Sequence, residues 1–359
     1  MNTFLEKLNN SLIRIKLTDK LFFTQNLNLM IRSGITLDKS LESLTLQTEN
    51  VKFKKILEDI RGHVQKGGLF SDALKLHNNV FSDIFINMIA AGEESGKLED
   101  VLKTLTIQMH KEHDLRSKVK GAVAYPVVVL TAMLSITTGL IVFVIPNLTR
   151  MFTEGGLELP LPTKILIAVS TVMARYFYIL VVVVIGALIG FLKFRKTITG
   201  KRILHKIVLR SPILGKLAVK VNLARIARAL SSLLKTDIPV VKSFTIASHV
   251  ISNIYYQEAL RHIAKTLKTG TSIRKGLEQY IDLFTPTIIQ MVSVGEETGT
   301  TDEILQEIAL FYEEDLDNTL KNLPSLLEPV LILLLGVTVG GIAIAIMLPI
   351  FNFTQSAGG

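Results

Sequence analysis

The chain has no cysteine in 359 residues. That excludes disulfides and cysteine-ligated metals, and it fits a protein whose bulk sits in a reducing cytoplasm. A cleavable signal peptide is not expected either: Met1 to Lys20 has no continuous apolar core and no small-residue cleavage site. No run shows the period-two alternation of a half-buried strand. No nucleophile, base and orienting group stand in a recognisable pattern, so no catalytic residue, cofactor or metal is assigned. Charge of one sign is also missing in places. Lys193 to Thr236 holds twelve Lys or Arg and no acid, and Glu296 to Leu320 holds nine acids and no Lys or Arg.

What the chain does have is a repeat. Gly-Glu-Glu-Ser-Gly at Gly92 to Gly96 returns as Gly-Glu-Glu-Thr-Gly at Gly295 to Gly299, an offset of 203 residues. The same offset pairs Ile35 with Ile238, Lys39-Ser40 with Lys242-Ser243, Gly67 with Gly270, Phe81 with Phe284 and Met88 with Met291. It also pairs Pro126 with Pro329 and Pro146 with Pro349, so one register holds from about residue 23 to 148 against 226 to 351. Each copy runs from a polar, helix-patterned region into a long apolar stretch. The organisation expected from this is a symmetric membrane scaffold.

Hydrophobic residues make up 48% of the chain and mean hydropathy is +0.42, on the membrane-protein side of the usual range. A span needs about 20 apolar residues. Ala122 to Leu148 and Pro329 to Phe353 qualify without a charge; Tyr176 to Leu192 is Val-rich and apolar. Arg175 would be costly in mid-membrane, so Thr163 to Ala174 is expected as a separate helix at the outer interface, after the Pro160 and Pro162 breaks, with Arg175 at the mouth of the next span. Arg116, Lys118 and Lys120 precede the first span and Lys193, Arg195, Lys196, Lys201 and Arg202 follow the second, which places both polar regions inside and the short C-terminal tail outside. The basic run then reads as topology and contact with anionic lipid rather than nucleic-acid binding. The expected division is an amphipathic segment over 1–20, a cytoplasmic helical domain over 21–121, spans at 122–148, 176–194 and 329–353, an external loop and interfacial helix over 149–175, and a second cytoplasmic domain over 195–325.

Both polar regions read as helical, through Phe23, Leu27, Met30 and Ile31 and again through Ile84, Met88, Ile89 and Ala91. Turn-forming glycines divide each into about six helices, an all-α bundle. The Gly92–Gly96 segment does not have the spacing of a phosphate-binding loop, and the repeat replaces Lys97 with Thr300. It reads as a corner between helices, with Gly92, Gly96, Gly295 and Gly299 supplying positive φ and Glu99, Asp100, Asp302 and Glu303 entering the first turn of the next helix. Thr300 and Glu303 have capping-box spacing. The exposed pairs Glu93-Glu94 and Glu296-Glu297 are candidate docking points for a basic partner. The acidic stretch containing Glu313, Glu314 and Asp315 is expected to face either such a partner or the chain's own basic stretch, Lys193 to Lys235. His110 and His113, beside Glu112 and Asp114, have no counterpart at Glu313 and Leu316 and read as helix surface rather than a metal site. Pro126 and Pro329 are expected as kinks near the inner starts of two spans. Gly336, Gly340 and Gly341 offer a small-residue surface for core packing or dimerisation.

Taken in order, several stretches resemble the type II secretion F / type IV pilus PilC platform family. They are Leu29-Met-Ile-Arg-Ser-Gly-Ile35, Gly92-Glu-Glu-Ser-Gly-Lys-Leu98, Ala124-Tyr-Pro126, Glu158-Leu-Pro-Leu-Pro-Thr163, Ser211-Pro-Ile-Leu-Gly215, Phe284-Thr-Pro286 and Gly295–Gly299. Two departures stand out: Asp237 replaces the glycine seen at Gly34, so a different turn is expected there, and Thr301 replaces the leucine seen at Leu98. The resemblance implies two homologous cytoplasmic bundles with three spans, in the cytoplasmic (inner) membrane, without catalysis of their own. It implies a cytoplasmic hexameric assembly ATPase, pilin or pseudopilin subunits and other inner-membrane assembly proteins as partners, and a homo-oligomer. The alternative is a small membrane transporter or channel subunit, which would call for paired intramembrane charges and discontinuous spans.

Overall fold

The computed structural model describes residues 14–147, 160–212 and 214–357. Most of the expected amphipathic segment and of the connection after the first span lies outside the described residues. Among them there is no strand. The helices are α1 (Leu17–Arg32), α2 (Leu37–Gln47), α3 (Val51–Gln65), α4 (Phe70–Leu76), α5 (Asp83–Ser95) and α6 (Leu98–Gly139), the last running into a π-helical stretch at Leu140–Val144. Then come α7 (Leu161–Arg175), α8 (Phe177–Phe194) and α9 (Ile198–Arg210). The second copy follows as α10 (Leu214–Leu234), α11 (Val240–Val250), α12 (Ile254–Leu267), α13 (Ile273–Glu278), α14 (Pro286–Thr298) and α15 (Thr301–Ala357).

The repeat seen in the sequence is a repeat in space. Moved by 203 residues, α2 and α5 become α11 and α14 to the residue, and α6 and α15 begin at equivalent positions. Six helices per copy are observed, as expected. The cores match as well. Phe23, Phe53 and Phe81 form one aromatic cluster, with Phe23 meeting Phe53 edge-on at 5.8 Å. In the second copy Tyr256 stands where the first has Phe53 and meets Phe284 edge-on at 5.7 Å. Its hydroxyl, carried into the core, donates to the Leu283 carbonyl at 2.9 Å. Burying one such ring is worth roughly 1.5–3 kcal/mol, and a polar tip is tolerated only because it is bonded.

Every positive φ among the described residues falls at one of three turns or its counterpart. After α1 the N–H of Gly34 donates to Ile31 (2.9 Å) and that of Ile35 to Met30 (3.0 Å), closing the last carbonyls in a Schellman turn. The different turn expected at Asp237 is not found. Asp237 N–H donates to Leu234 (3.0 Å) and Ile238 N–H to Leu233 (3.2 Å), with φ of 59° against 80° at Gly34. Aspartate is among the few residues that visit this region at modest cost. The reading of the Gly-Glu-Glu corners needs a second correction. Gly96 and Gly299 take positive φ, but Gly92 and Gly295 lie inside α5 and α14. There a Cβ would stand 2.9 Å from the Val101 side chain and 3.0 Å from that of Ile304, so these two glycines let the next helix approach closely.

The chain divides into two compact units. One takes in the residues up to Ser117 with Arg202–Asp317; the other takes in Lys118–Lys201 with Asn318 onward. Among the described residues, three helices are long and apolar enough to cross a membrane, through Leu98–Asn147, Phe177–Phe194 and Thr301–Pro349, and their apolar windows are almost wholly uncovered. Pro126 and Pro329 lie inside α6 and α15, which continue through them. At Gly336, Gly340 and Gly341 a Cβ meets nothing within 4 Å among the described residues.

In the second unit α7 ends at Arg175, whose guanidinium lies over the Tyr176 ring, and α8 begins after it. The two are separate helices. The buried hydroxyls of α7 are spent on the spans. Thr163 donates to the Ala345 carbonyl (2.7 Å) and Ser170 to the Ile141 carbonyl (2.6 Å). Ala345 stands four residues before Pro349, which has no N–H to offer it. At Ile141 the π-stretch has sent the Ile145 N–H five residues back to Leu140, and position 146 is proline. Seven residues apart is two helical turns, so one face of α7 serves both sites.

Candidate functional site

The candidate carboxylates fall into two groups. Glu93 and Glu296, the first acids of each corner, are half-buried and turned inward. Glu93 accepts the N–H groups of Phe70 (2.6 Å) and Ser71 (2.8 Å); Glu296 accepts those of Ile273 (2.7 Å) and Arg274 (3.2 Å). Each thus satisfies the free N–H groups and positive end of a short helix, α4 or α13. The expectation of two exposed carboxylates per corner is corrected to one: Glu94 and Glu297 are exposed, the latter accepting from the Ser293 hydroxyl at 3.0 Å. Thr300 pairs with the Thr298 hydroxyl at 2.7 Å.

The acidic stretch meets the chain's own basic stretch. Arg228 Nε donates to Glu313 Oε1 at 2.8 Å, Lys220 Nζ to Asp315 Oδ1 at 2.8 Å, and Lys235 to Gln306. Of the three acids singled out there, Glu313 and Asp315 are engaged at home, and Glu314 is exposed. Because α10 is basic and α15 acidic along facing turns, the second copy closes on itself electrostatically.

The two copies also pair with one another inside the first unit. Arg225 on α10 reaches Glu112 on α6 with two bonds, Nε to Oε2 at 3.1 Å and Nη2 to Oε1 at 3.0 Å, a forked geometry. Lys111 on α6 reaches Glu313 at 3.1 Å, and His249 on α11 meets Asp83 on α5 at 2.7 Å. Between them is a cleft of about 300 Å³ whose walls carry Lys20, Arg116 and Gln108 beside the paired charges, over apolar side chains such as Phe81, Phe85 and Met109. Lys20 Nζ donates to the Val80 carbonyl at 2.9 Å. Glu112 came up in sequence only as a neighbour of His110 and His113; its inter-repeat role left no local signal, since Arg225 is 113 residues away.

A duplicated helical bundle with three helices, among the described residues, long and apolar enough to cross a membrane defines a polytopic membrane protein. The family described as type II secretion system (T2SS), protein F, matches residues 23–146 and again 226–349. The type IV pilus assembly protein PilC of Thermus thermophilus is 34% identical over 336 residues, 94% of this chain and 82% of its own. PilC of Myxococcus xanthus is 32% identical over 334 residues, 93% of this chain and 80% of its own. The type II secretion system protein F of Pseudomonas aeruginosa is 28% identical over 340 residues, 95% of this chain and 84% of its own. The chain belongs to the type II secretion system protein F family, and both matched segments coincide with the two structural repeats.

Proposed function

We propose that this protein is the inner-membrane platform of a type IV pilus or type II secretion machine. It couples a cytoplasmic hexameric assembly ATPase to insertion of pilin or pseudopilin subunits into a growing filament. The observation that carries the reading is the double family match on α1–α6 and α10–α15, together with relatives named for pilus assembly and secretion. α6 and α15 each run in sequence from a charged half into an apolar half, which fits it. In this reading the chain performs no catalysis, acts with other inner-membrane assembly proteins and as a homo-oligomer, and keeps its N-terminus in the cytoplasm and its C-terminus outside. The positive charges flanking the first two spans support that orientation. Glu94, Glu297 and Glu314 are the exposed acids best suited to a basic patch on the ATPase.

Deletion of the gene in its native host tests this. The expected result is loss of surface filaments, or of secreted substrate, with the ATPase and pilin-like subunits still present at normal levels. Normal filaments and normal secretion in the deletion strain would remove the proposal.

A further inference from the structure

The two copies meet through different faces. On the first copy the contact is made by α5 and α6, through Asp83 and Glu112; on the second it is made by α10 and α11, through Arg225 and His249. Lys97, just past the end of α5, meets Asp237, just before α11, at 3.3 Å. A two-fold arrangement would repeat each contact with the copies exchanged. Moved by 203 residues, the exchanged form of His249–Asp83 is Leu46 with Pro286, and that of Arg225–Glu112 is Phe22 with Asp315. The Leu46–Pro286 contact is not made, since Leu46 is 74% exposed and Pro286 is exposed, and Phe22 is 48% exposed. The contact between the copies is therefore head-to-tail, and a head-to-tail contact leaves one face open at each end. The open faces are α1 with α2 on the first copy and α14 with α15 on the second.

The open faces differ in chemistry from the closed ones. Where the closed contact has His249 and Arg225, the open face of the first copy has Leu46 and Phe22. Where the closed contact has Asp83 and Gln108, the open face of the second copy has Pro286 and Phe311, the latter 58% exposed. Asp315, the counterpart of Glu112, bonds within its own copy to Lys220 at 2.8 Å, so the face opposite Phe22 does not call for an arginine. Polar side chains suit a contact and water alike, but apolar ones suit only the contact. Single exposed apolar residues are ordinary. Here they stand on both complementary faces, at the positions an existing contact marks, which is the pattern of surfaces that are covered.

We propose that the open face at Phe22 and Leu46 docks a second copy of this chain, through that copy's Pro286 and Phe311. The contact repeats between chains the way the two copies meet within one, with apolar side chains in place of the charged pairs. Aromatic and apolar residues at its centre fit the composition of buried interface cores. A segment of the same chain would cover one face; the matched change on both is the mark of two surfaces that meet each other. The proposal rests on the homo-oligomer of the preceding subsection and supplies its contact surface.

The chain has no cysteine, so a thiol can be placed on each face without background. Leu46→Cys and Pro286→Cys are carried by two differently tagged full-length chains in one native membrane, which is isolated and oxidised. The expected result is a dimer bearing both tags, because a disulfide forms only where Cα atoms come within about 7 Å. Either variant alone is expected to give none, since a head-to-tail contact joins unlike faces. Leu76→Cys is the control: Leu76 is 72% exposed and its counterpart Gln279 is exposed too, so it should not join Pro286→Cys. No mixed dimer, dimers from one variant alone, or an equal yield with Leu76→Cys would overturn the proposal. Phe22→Asp and Phe311→Asp, both at exposed positions, are each expected to cause loss of the oligomeric mass in detergent by native mass spectrometry. Unchanged masses would overturn it as well, leaving lipid or the chain's own residues 1–13 as the cover. A wild-type mass of one chain would remove the homo-oligomer and this contact together. An oligomeric mass without the mixed dimer would remove the contact alone.

Discussion

The Thr163 hydroxyl donates to the carbonyl of Ala345, 182 residues away, at the position that Pro349 deprives of a helical donor. Ser170 does the same for Ile141 in the first copy's apolar stretch, where Pro146 supplies none. The two prolines are repeats of each other, and one helix outside the repeat answers both. In an apolar setting an unsatisfied carbonyl is expensive, so α7 is a required partner of the spans.

Thr163→Val keeps the shape and removes the donor. It is expected to destabilise the detergent-solubilised protein by about 1–3 kcal/mol in a reversible unfolding assay. Pro349→Ala returns an N–H to the Ala345 carbonyl, so the cost of Thr163→Val should shrink in that background, a coupling that a double-mutant cycle reads directly. Equal costs in both backgrounds would show that the hydroxyl does something else.

The corner glutamates make a matched pair of predictions. Glu93→Ala and Glu296→Ala each remove the acceptor for two helix N–H groups and should each cost about 1–2 kcal/mol. Glu94→Ala and Glu297→Ala, one residue on and exposed, should fall within about 0.5 kcal/mol of wild type. Denaturant midpoints at constant slope check all four, and a large effect at Glu94 with none at Glu93 would reverse the assignment.

At the turn after α10, Asp237→Gly should be neutral or stabilising by up to about 1 kcal/mol, because it relieves a left-handed residue with a side chain. The Lys97–Asp237 pair lost with it is exposed at both ends, and such pairs contribute little. Gly34→Val, at the equivalent turn, should cost more than about 1 kcal/mol. Thermal shift on the two variants distinguishes them by sign.

Reversal of the acidic cluster separates folding from docking. Glu313→Lys places a cation against Arg228 and Lys111 and is expected to cost about 3 kcal/mol or more. Glu314→Lys should leave stability unchanged and weaken association with the ATPase. If Glu314→Lys leaves both stability and association untouched, this acid is not part of the docking surface.

How far the sequence could be read depends on the range of each interaction. The six-helix copies were legible because periodic apolar residues and turn glycines are local signals, reinforced by a gapless 203-residue register. The turn at Asp237 misled, since the residue type changed while the backbone did not. Glu93 looked free because its partners, Phe70 and Ser71, sit 23 and 22 residues upstream on another helix. The Arg225–Glu112 fork and the Thr163–Ala345 bond join residues over 100 positions apart, and no window along the chain contains both ends. The acidic and basic runs were visible; that they would meet, through Arg228–Glu313 and Lys220–Asp315, was one of two open outcomes until the helices were placed.

The platform reading is tested most directly by what the protein holds on to. Tagged full-length protein, drawn gently in detergent from its native membrane and analysed by mass spectrometry, is predicted to bring with it a secretion-type hexameric ATPase and pilin-like subunits. The identity of the pilins then separates pilus from secretion. Recovery of neither, from a preparation in which the protein is folded and abundant, would contradict the account.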